Sequence, residues 1–368
     1  MAINYNLLPH AGIKSLSPYI PGKTAEEVAA LHGISDIIKL ASNENPLGCS
    51  QAVKDALSKL TINQLATYPV GSKLPLRQKL AEKLGLETEM ITLVNGSDAL
   101  IPLLQTCFAL DLKKHVLTHD YAFLPYKIQA QNLNIPIVST PLLANWEVNL
   151  DAMINACNEN TGLIFLASPN NPTGVLFPQN QLIKLLNSIP LTTILVVDEA
   201  YYEFVNDSEK LNTINLLAKH PNLVITRTFS KAYGLAGLRL GFAIASTEIT
   251  EILHRVLLTF TVNIAAATAA SAAIDDLDFI NMTVKANFAG LNQMKEGLSK
   301  LKLNFLPTTG NFITFDCKED GMRIFQGLLQ HGIIIRPLHQ YEMNNFLRVT
   351  IGTEAQNTRF LEALRIIL

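Results

Sequence analysis

Residues 223–246 read LVITRTFSKAYGLAGLRLGFAIAS, in which two apolar runs of strand length enclose a polar, glycine-rich loop. The first run is rich in β-branched residues and predicts a buried strand. The loop contains Thr228, Ser230 and Lys231, and Arg239 follows the lysine after eight residues. A lysine in such a loop can bind phosphate as a point charge or, with a lowered pKa, form an imine with a carbonyl. A lone loop lysine is more often an ordinary surface residue, so its neighbours must decide.

Those neighbours favour a cofactor that carries both a phosphate and a carbonyl group. The hydroxyls of Thr228 and Ser230 and the guanidinium of Arg239 are suitable donors to a phosphate monoester. Three glycines in the same stretch let the backbone approach a bound group closely. With a lysine at the centre, the pattern suggests a phosphorylated aldehyde, pyridoxal phosphate (PLP).

The composition indicates a compact globular protein. The chain has 368 residues, of which 48% are hydrophobic and 16% charged, and this length makes two domains the expectation. A net charge of -2 gives no reason to expect nucleic acid or acidic lipid as a partner. The four cysteines are widely spaced and no histidine cluster accompanies them, which predicts reduced cysteines in a cytoplasmic protein without a metal site. The first residues lack a basic start followed by an apolar core, so no signal peptide is expected.

An uncharged run between residues 256 and 274 is long enough to test as a membrane span. It contains Asn263, several hydroxyl residues and much alanine, which is only weakly hydrophobic. We therefore expect a buried, closely packed helix here and no membrane as partner.

Strand-like and helix-like segments alternate through the middle of the chain. The strand-like runs are residues 92–95, 115–118, 163–168, 194–198 and 223–227. This alternation predicts an α/β fold with a mainly parallel sheet, which binds ligands at the carboxyl ends of its strands. A long helix to about residue 301, three short strands and a terminal helix follow, as in a smaller α+β domain. We predict a large domain of residues 46–270 and a small domain of residues 1–45 plus 271–368.

The predicted strands end in polar residues suited to an aromatic cofactor. In SPNNPTG, residues 168–174, Asn171 can present its amide to a ring oxygen, and in DEAY, residues 198–201, Tyr201 can do the same with its hydroxyl. The carboxylate of Asp198 would be costly to bury unless it is paired. A pyridinium nitrogen would pair it in a hydrogen bond worth ~1.5–3 kcal/mol. A metal ligand or a helix cap is the alternative, although no histidine nearby in sequence favours a metal.

A helix predicted after residue 96 offers a seat for the phosphate. Ser97 and Asp98 open this helix, and the unpaired N–H groups of a helix start bind phosphate well. A Gly-Ser-Asp turn alone is more often a simple N-cap. Motifs typical of dinucleotide-binding proteins, P-loop proteins, zinc proteases and serine hydrolases are absent.

SPNNPTG, DEAY and TFSKAYGLAGLRLGF, in that order, resemble the fold-type-I PLP-dependent aminotransferases, and the resemblance extends over essentially the whole chain. Within that superfamily, SLSPYIPGK, LASNENPLG, the Tyr68-Pro69 turn, GSDA and FLRVTIGT resemble the histidinol-phosphate aminotransferases of histidine biosynthesis. The resemblance implies a seven-stranded, mainly parallel sheet. It also implies transamination between L-histidinol phosphate and 2-oxoglutarate, yielding imidazole acetol phosphate and glutamate, with the physiological direction the reverse.

The resemblance also implies a role for each residue around the cofactor. Lys231 would bind PLP covalently and later move a proton as a free amine, and Asp198 would keep the pyridine nitrogen protonated. Tyr201 and Asn171 would contact the ring oxygen, and Phe123 would stack on the ring, with Tyr121 as the fallback. The phosphate would be held by Thr228, Ser230, Arg239 and the backbone of Ser97 and Asp98. Ala99 replaces the glutamate that the family often has, which removes no backbone donor.

The resemblance further implies a homodimer, because Tyr68 would reach the phosphate of the neighbouring subunit's cofactor. Arg348, with Arg336 and Tyr19, would bind the anionic end of histidinol phosphate or of glutamate, and Asn45 would also contact substrate. An aromatic amino-acid aminotransferase and a threonine-phosphate decarboxylase share the fold and remain alternatives. A PLP-binding protein without catalysis is a third possibility, but it would not need both Lys231 and Asp198.

Overall fold

The structure is a computed structural model that describes residues 4–5, 8–16, 24–111 and 113–368. Its strands are β1 (Ile38–Lys39), β2 (Ile91–Val94), β3 (His115–His119), β4 (Ile137–Thr140), β5 (Thr161–Ala167), β6 (Ile194–Asp198), β7 (Leu223–Thr228), β8 (Gly241–Ile244), β9 (Asn304–Phe305), β10 (Phe312–Asp316), β11 (Ile333–Ile334), β12 (Arg336–Pro337) and β13 (Phe346–Thr350). Its helices are α1 (Ala11–Lys14), α2 (Ala25–His32), α3 (Gln51–Ser58), α4 (Ile62–Ala66), α5 (Pro75–Leu84), α6 (Leu100–Phe108), α7 (Pro125–Asn132), α8 (Leu150–Ala156), α9 (Gln179–Ser188), α10 (Thr247–Val256), α11 (Ile264–Ala273), α12 (Leu277–Lys300), α13 (Gly321–Gln330) and α14 (Glu354–Ile367).

A seven-stranded sheet forms the centre of the larger part, with the strand order β2-β8-β7-β6-β5-β3-β4. Strands β3 to β7 pair in parallel, whereas β8 runs antiparallel to both β2 and β7. Strands β5, β6 and β7 are buried at every position, because helices cover both faces and leave no polar face. The predicted α/β class with a mainly parallel seven-stranded sheet is confirmed.

The second part of the fold is built on a four-stranded antiparallel sheet of order β12-β13-β10-β9. Its core joins the sheet to α12, α13 and α14 through residues such as Met294, Phe315 and Phe360. Strand β1, from the N-terminal region, pairs in parallel with β11 and contributes Ile38 to the same core. The predicted domain limits, residues 46–270 and 1–45 plus 271–368, stay a prediction.

The uncharged run at residues 256–274 is not one helix. Helix α10 ends at Val256, and α11 begins at Ile264 after Asn263, whose side chain caps it by accepting a hydrogen bond from the Ala266 N–H at 2.7 Å. The alanines of α11 are mostly buried, as expected for close packing. Among the described residues, no helix is long and apolar enough to span a membrane.

Candidate active site

The carboxyl ends of β5, β6 and β7 lie side by side. Ala167 pairs with Asp198 across β5 and β6, and Asp198 pairs with Thr226 across β6 and β7. Because parallel strands end at the same edge of a sheet, the loops that follow converge there. The polar clusters that the sequence places after separate strands therefore meet at one site.

A cavity of about 630 Å³ opens at this edge of the sheet. It brings together most of the predicted site residues, which are Ser97, Asp98, Phe123, Asn171, Asp198, Tyr201, Thr228, Ser230, Lys231, Arg239, Arg336 and Arg348. Four of these carry positive charge, which suits a cavity for anionic molecules.

Three predicted residues stand apart from this lining. Asn45 lines a neighbouring cavity, and its side chain donates to the Ala232 carbonyl at 2.9 Å and to Thr283 Oγ1 at 3.2 Å. Tyr68 is 76% exposed and its ring stacks on that of Phe260 with centroids 4.6 Å apart. Tyr19 lies outside the described residues.

The two candidates for the aromatic wall of the cavity lie in different places. Phe123 lines the cavity and makes an edge contact with Tyr126. Tyr121, with a backbone φ of 56°, packs against Trp146 with ring centroids 5.5 Å apart. Of these two residues, Phe123 is the one that lines the cavity.

Lys231 has the properties of a nucleophilic amine. Its Nζ donates a hydrogen bond to the Ser42 carbonyl at 3.0 Å. Burial, together with the nearby charge of Arg348, lowers its pKa to about 8. A usable fraction of the amine is therefore neutral near physiological pH, which attack on a carbonyl requires.

Asp198 is held by donors from three parts of the chain. The Tyr126 hydroxyl donates to its Oδ2 at 2.8 Å, and the Ala200 N–H donates to its Oδ1 at 3.2 Å. Burial raises the pKa of Asp198 to about 6, although hydrogen bonds from Tyr126 and Thr226 oppose the rise. A cation bound beside this carboxylate would replace the solvation that it lacks.

Sequence reasoning did not assign a function to Tyr126. It is fully buried, and its ring stacks on Phe165 with centroids 4.5 Å apart. Its N–H donates to the Phe123 carbonyl, so one turn places Phe123 in the cavity wall and Tyr126 beside Asp198. Two aromatic residues three positions apart after a strand are the signal that could have indicated this pair.

The hydroxyl of Tyr201 accepts hydrogen bonds from two side-chain amides. Asn43 Nδ2 lies at 2.8 Å from it and Asn171 Nδ2 at 3.2 Å. Burial raises the pKa of Tyr201 to about 12, and the charge of Arg348 and the Asn43 hydrogen bond act in the opposite direction. Arg348 in turn donates to Asn171 Oδ1 at 2.5 Å. In the sequence, Asn43 lies in the asparagine-rich stretch LASNENPLG, residues 40–48, where turn formation explains an asparagine as well as a functional role does.

A turn and a strand pack closely at the end of the cavity that holds Arg239. A Cβ on Gly241 would lie 2.4 Å from the Ser97 nitrogen, and one on Gly96 would lie 2.4 Å from Arg239 Nη2. Gly96 also has a φ of 81°. Arg239 reaches Asp98 Oδ2 at 3.5 Å. Glycine at position 96 therefore leaves room for the Arg239 guanidinium, and glycine at position 241 lets β8 approach the backbone of Ser97.

A buried ion pair ties β6 to β7 behind the cavity. Arg227 Nη2 lies 2.7 Å from Glu199 Oε2, and Thr213 donates to the other oxygen of that carboxylate at 2.8 Å. Glu199 directly follows Asp198, and Arg227 directly precedes Thr228. The pair therefore aligns the two strand ends from which cavity residues project.

These residues fit PLP. Hydroxyls, backbone N–H groups and Arg239 at the glycine-lined end match a phosphate, since each is a donor. Asp198, buried with a raised pKa, matches a protonated ring nitrogen, and the flat side chain of Phe123 matches an aromatic ring. Lys231 supplies an amine for the aldehyde.

Comparison with known proteins agrees with this geometry. Residues 35–364 match the model of the family described as aminotransferase class I and II. A Legionella pneumophila protein named histidinol-phosphate aminotransferase 2 is 55% identical over 365 residues, covering 99% of both chains. A Pseudomonas fluorescens protein of the same name is 40% identical, covering 100% of this chain and 99% of the other.

A solved structure is similar over nearly the full length. Histidinol-phosphate aminotransferase from Sinorhizobium meliloti, in complex with pyridoxal-5'-phosphate, superposes with a TM-score of 0.87 at 25% identity and covers 98% of both chains. The match to the family model spans both sheets and every cavity residue named above. This chain therefore belongs to the class I and II aminotransferase family.

Proposed function

We propose that this chain is a PLP-dependent transaminase that interconverts L-histidinol phosphate plus 2-oxoglutarate with imidazole acetol phosphate plus L-glutamate, physiologically toward histidinol phosphate. One observation carries the proposal. Lys231 and Asp198 line the same cavity in a chain that is 55% identical to a histidinol-phosphate aminotransferase.

Different parts of the cavity would hold different parts of the cofactor. Thr228, Ser230, Arg239 and the backbone of Ser97 and Asp98 would bind the phosphate. Phe123 would cover one face of the ring, and Asp198 would keep a proton on the ring nitrogen. Bound in this way, PLP supplies an electron sink for the negative charge that develops on the substrate.

Lys231 would move the proton. Its pKa of about 8 lets the amine accept a proton from the substrate carbon and return it at a neighbouring carbon of the cofactor. Tyr201 and Asn171 would hold the ring oxygen. The buried hydrogen bonds of these two side chains fix their positions before substrate binds.

Two arginines would bind the anionic ends of both substrates. Arg336 and Arg348 line the cavity, and their strands pair directly at this position. A planar guanidinium engages either a phosphate or a carboxylate with two bonds. Asn45 would support the site by holding the Ala232 carbonyl next to Lys231. A role for Tyr19 remains a prediction.

The working unit would be a homodimer in the cytoplasm, with the domain division predicted above. Tyr68 and Phe260 form a stacked pair that is largely exposed, and exposed apolar residues accompany it: Ile62, Leu65 and Leu258. An apolar surface of this kind favours contact with another chain. Tyr68 would then reach the neighbouring cofactor.

A panel of amino donors tests the proposal. Purified protein with PLP is assayed with histidinol phosphate, phenylalanine and threonine phosphate. We expect fastest amino transfer from histidinol phosphate to 2-oxoglutarate. Faster turnover of phenylalanine, or release of carbon dioxide from threonine phosphate, would favour the alternatives. A visible cofactor band that no donor changes would indicate a binding protein without catalysis.

A further inference from the structure

Asn43 lines the cavity in an unusual backbone conformation. It is 1% exposed and has a φ of 56°, in the left-handed region that residues other than glycine seldom adopt. It belongs to the turn between β1 and α3, far in sequence from the cavity loops of the seven-stranded sheet. Such a conformation persists only where surrounding contacts hold it.

Every polar group of Asn43 has a partner. Its N–H donates to Thr350 Oγ1 at 2.9 Å, and Asn311 Nδ2 donates to its carbonyl at 2.9 Å. The Thr350 hydroxyl donates to Oδ1 at 3.2 Å, which leaves Nδ2 to donate to the Tyr201 hydroxyl at 2.8 Å. The side-chain amide is therefore held with its N–H toward Tyr201.

Asn171 is the second donor to the same hydroxyl, and its orientation is determined. Arg348 has only donors, and it donates to Asn171 Oδ1, so Nδ2 of Asn171 must face Tyr201. A hydroxyl has two lone pairs and one hydrogen. With both lone pairs used by amides, the hydrogen of Tyr201 is available only to another acceptor.

We propose that Asn43 is a positioning residue that commits the Tyr201 hydroxyl to donate its hydrogen into the cavity. This proposal rests on the proposed function, because the acceptor would be the ring oxygen of PLP. A donor at that oxygen stabilises its negative charge and weakens its hold on the proton shared with the lysine-linked nitrogen. The pH at which the visible band of the holoenzyme changes is therefore kept low.

The test is the pH midpoint of that band in the holoenzyme. Asn43→Gly removes the amide but accepts a positive φ without strain. We expect Asn43→Gly and Tyr201→Phe each to raise the midpoint by about 0.5 unit or more, and the double variant to match Tyr201→Phe. Asn134→Gly, at an exposed residue with a φ of 55°, is the matched control and should leave the midpoint unchanged.

A second variant covers the case in which Asn43→Gly does not fold. The isosteric Asn43→Asp has a carboxylate that can only accept, so it would draw the Tyr201 hydrogen away from the cavity and also raise the midpoint. A lower midpoint in Asn43→Gly would mean that Asn43 had accepted the hydrogen, and it would overturn the proposal. A midpoint that Asn43→Gly leaves unchanged would also overturn it. So would a shift from Asn43→Gly that is as large in the Tyr201→Phe background as in the wild-type protein. No cofactor band in the wild-type protein would instead overturn the proposed function itself.

Discussion

The Tyr126 hydroxyl donates a hydrogen bond to Oδ2 of Asp198 across 2.8 Å, although 72 positions separate the two residues in the chain. Burial holds the pKa of Tyr126 well above its ordinary value, so this hydroxyl remains a donor at any working pH. Asp198 therefore has one oxygen occupied by a permanent donor. In the proposed function, Asp198 would pair with the ring nitrogen through a carboxylate that this contact orients.

Tyr126→Phe removes this donor and little else. A hydrogen bond to a charged group contributes ~1.5–3 kcal/mol, so we expect transamination to fall roughly 10- to 100-fold. The variant should still bind PLP, because the phosphate contacts are intact. Steady-state kinetics and cofactor titration measure both quantities. Tyr5→Phe, at an exposed tyrosine, is the control, and equal rates in the two variants would contradict the role.

Asp198 should make the cofactor-free protein less stable as the pH rises. Its pKa is raised to about 6 by the fold, so the folded state binds the proton more tightly than the unfolded state does. The stabilisation from this proton is present at pH 4 and is lost as the pH rises through 6. Chemical unfolding at pH 4 to 8 should show Asp198→Asn gaining stability relative to wild type over this interval. If the difference in free energy of unfolding between the variant and wild type stayed constant from pH 4 to 8, the pKa of Asp198 would be ordinary.

With the cofactor bound, Asp198→Asn should lower the rate of transamination. Asp198→Asn cannot hold a proton on the ring nitrogen by charge, and we expect turnover to fall by orders of magnitude while PLP binding falls less. Single-turnover kinetics with saturating cofactor separates the two effects. Wild-type turnover would show that the carboxylate is only structural.

The rate at which the protein captures PLP should follow the titration of Lys231. Because its pKa is about 8, the neutral amine increases about tenfold per pH unit below that value and then levels off. Stopped-flow absorbance after PLP is added to cofactor-free protein measures this rate. A rate profile of the wild-type protein that still rises steeply near pH 10 would contradict the lowered pKa.

Lys231→Ala should retain some PLP non-covalently and lose transamination.

Gly241→Ala should weaken cofactor binding. Its Cβ would lie 2.4 Å from the Ser97 nitrogen, so the strand and the helix start must separate. Gly237→Ala is the matched control from the same stretch, because its Cβ would meet no atom within 4 Å. We expect the PLP dissociation constant to rise at least about tenfold in the first variant and to change little in the second. Equal affinities of the two variants for PLP would mean that the end of the cavity beside Gly241 and Ser97 does not bind the phosphate.

Mixed dimers test the role of Tyr68. If Tyr68 serves the neighbouring subunit, a dimer of one Lys231→Ala chain and one Tyr68→Phe chain contains one site with both native residues. We expect each homodimer to be impaired and each mixed dimer, with one intact site of two, to recover up to half of the activity of a wild-type dimer. Because random exchange makes about half of the dimers mixed, the whole mixture should recover up to about a quarter of wild-type activity. If activity stays at the average of the two homodimers, each subunit uses its own residue.

The sequence alone determined the class of fold and twelve of the residues that line the cavity. Apolar runs alternate with helical segments, and parallel strands must place their carboxyl ends at one edge, so Asn171, Asp198 and Lys231 could be brought together without coordinates. Local rules suffice there because each residue directly follows a strand or lies in the next loop.

Only the tertiary structure decided which side chains touch. The contacts of Tyr126 with Asp198 and of Asn43 with Tyr201 join residues 72 and 158 positions apart, and no local pattern encodes such a distance. The same holds for Asn45, which lines a neighbouring cavity and donates to the carbonyl of Ala232, 187 positions away. Packing between distant segments selects these orientations, because each buried polar group must find a partner wherever the fold supplies one.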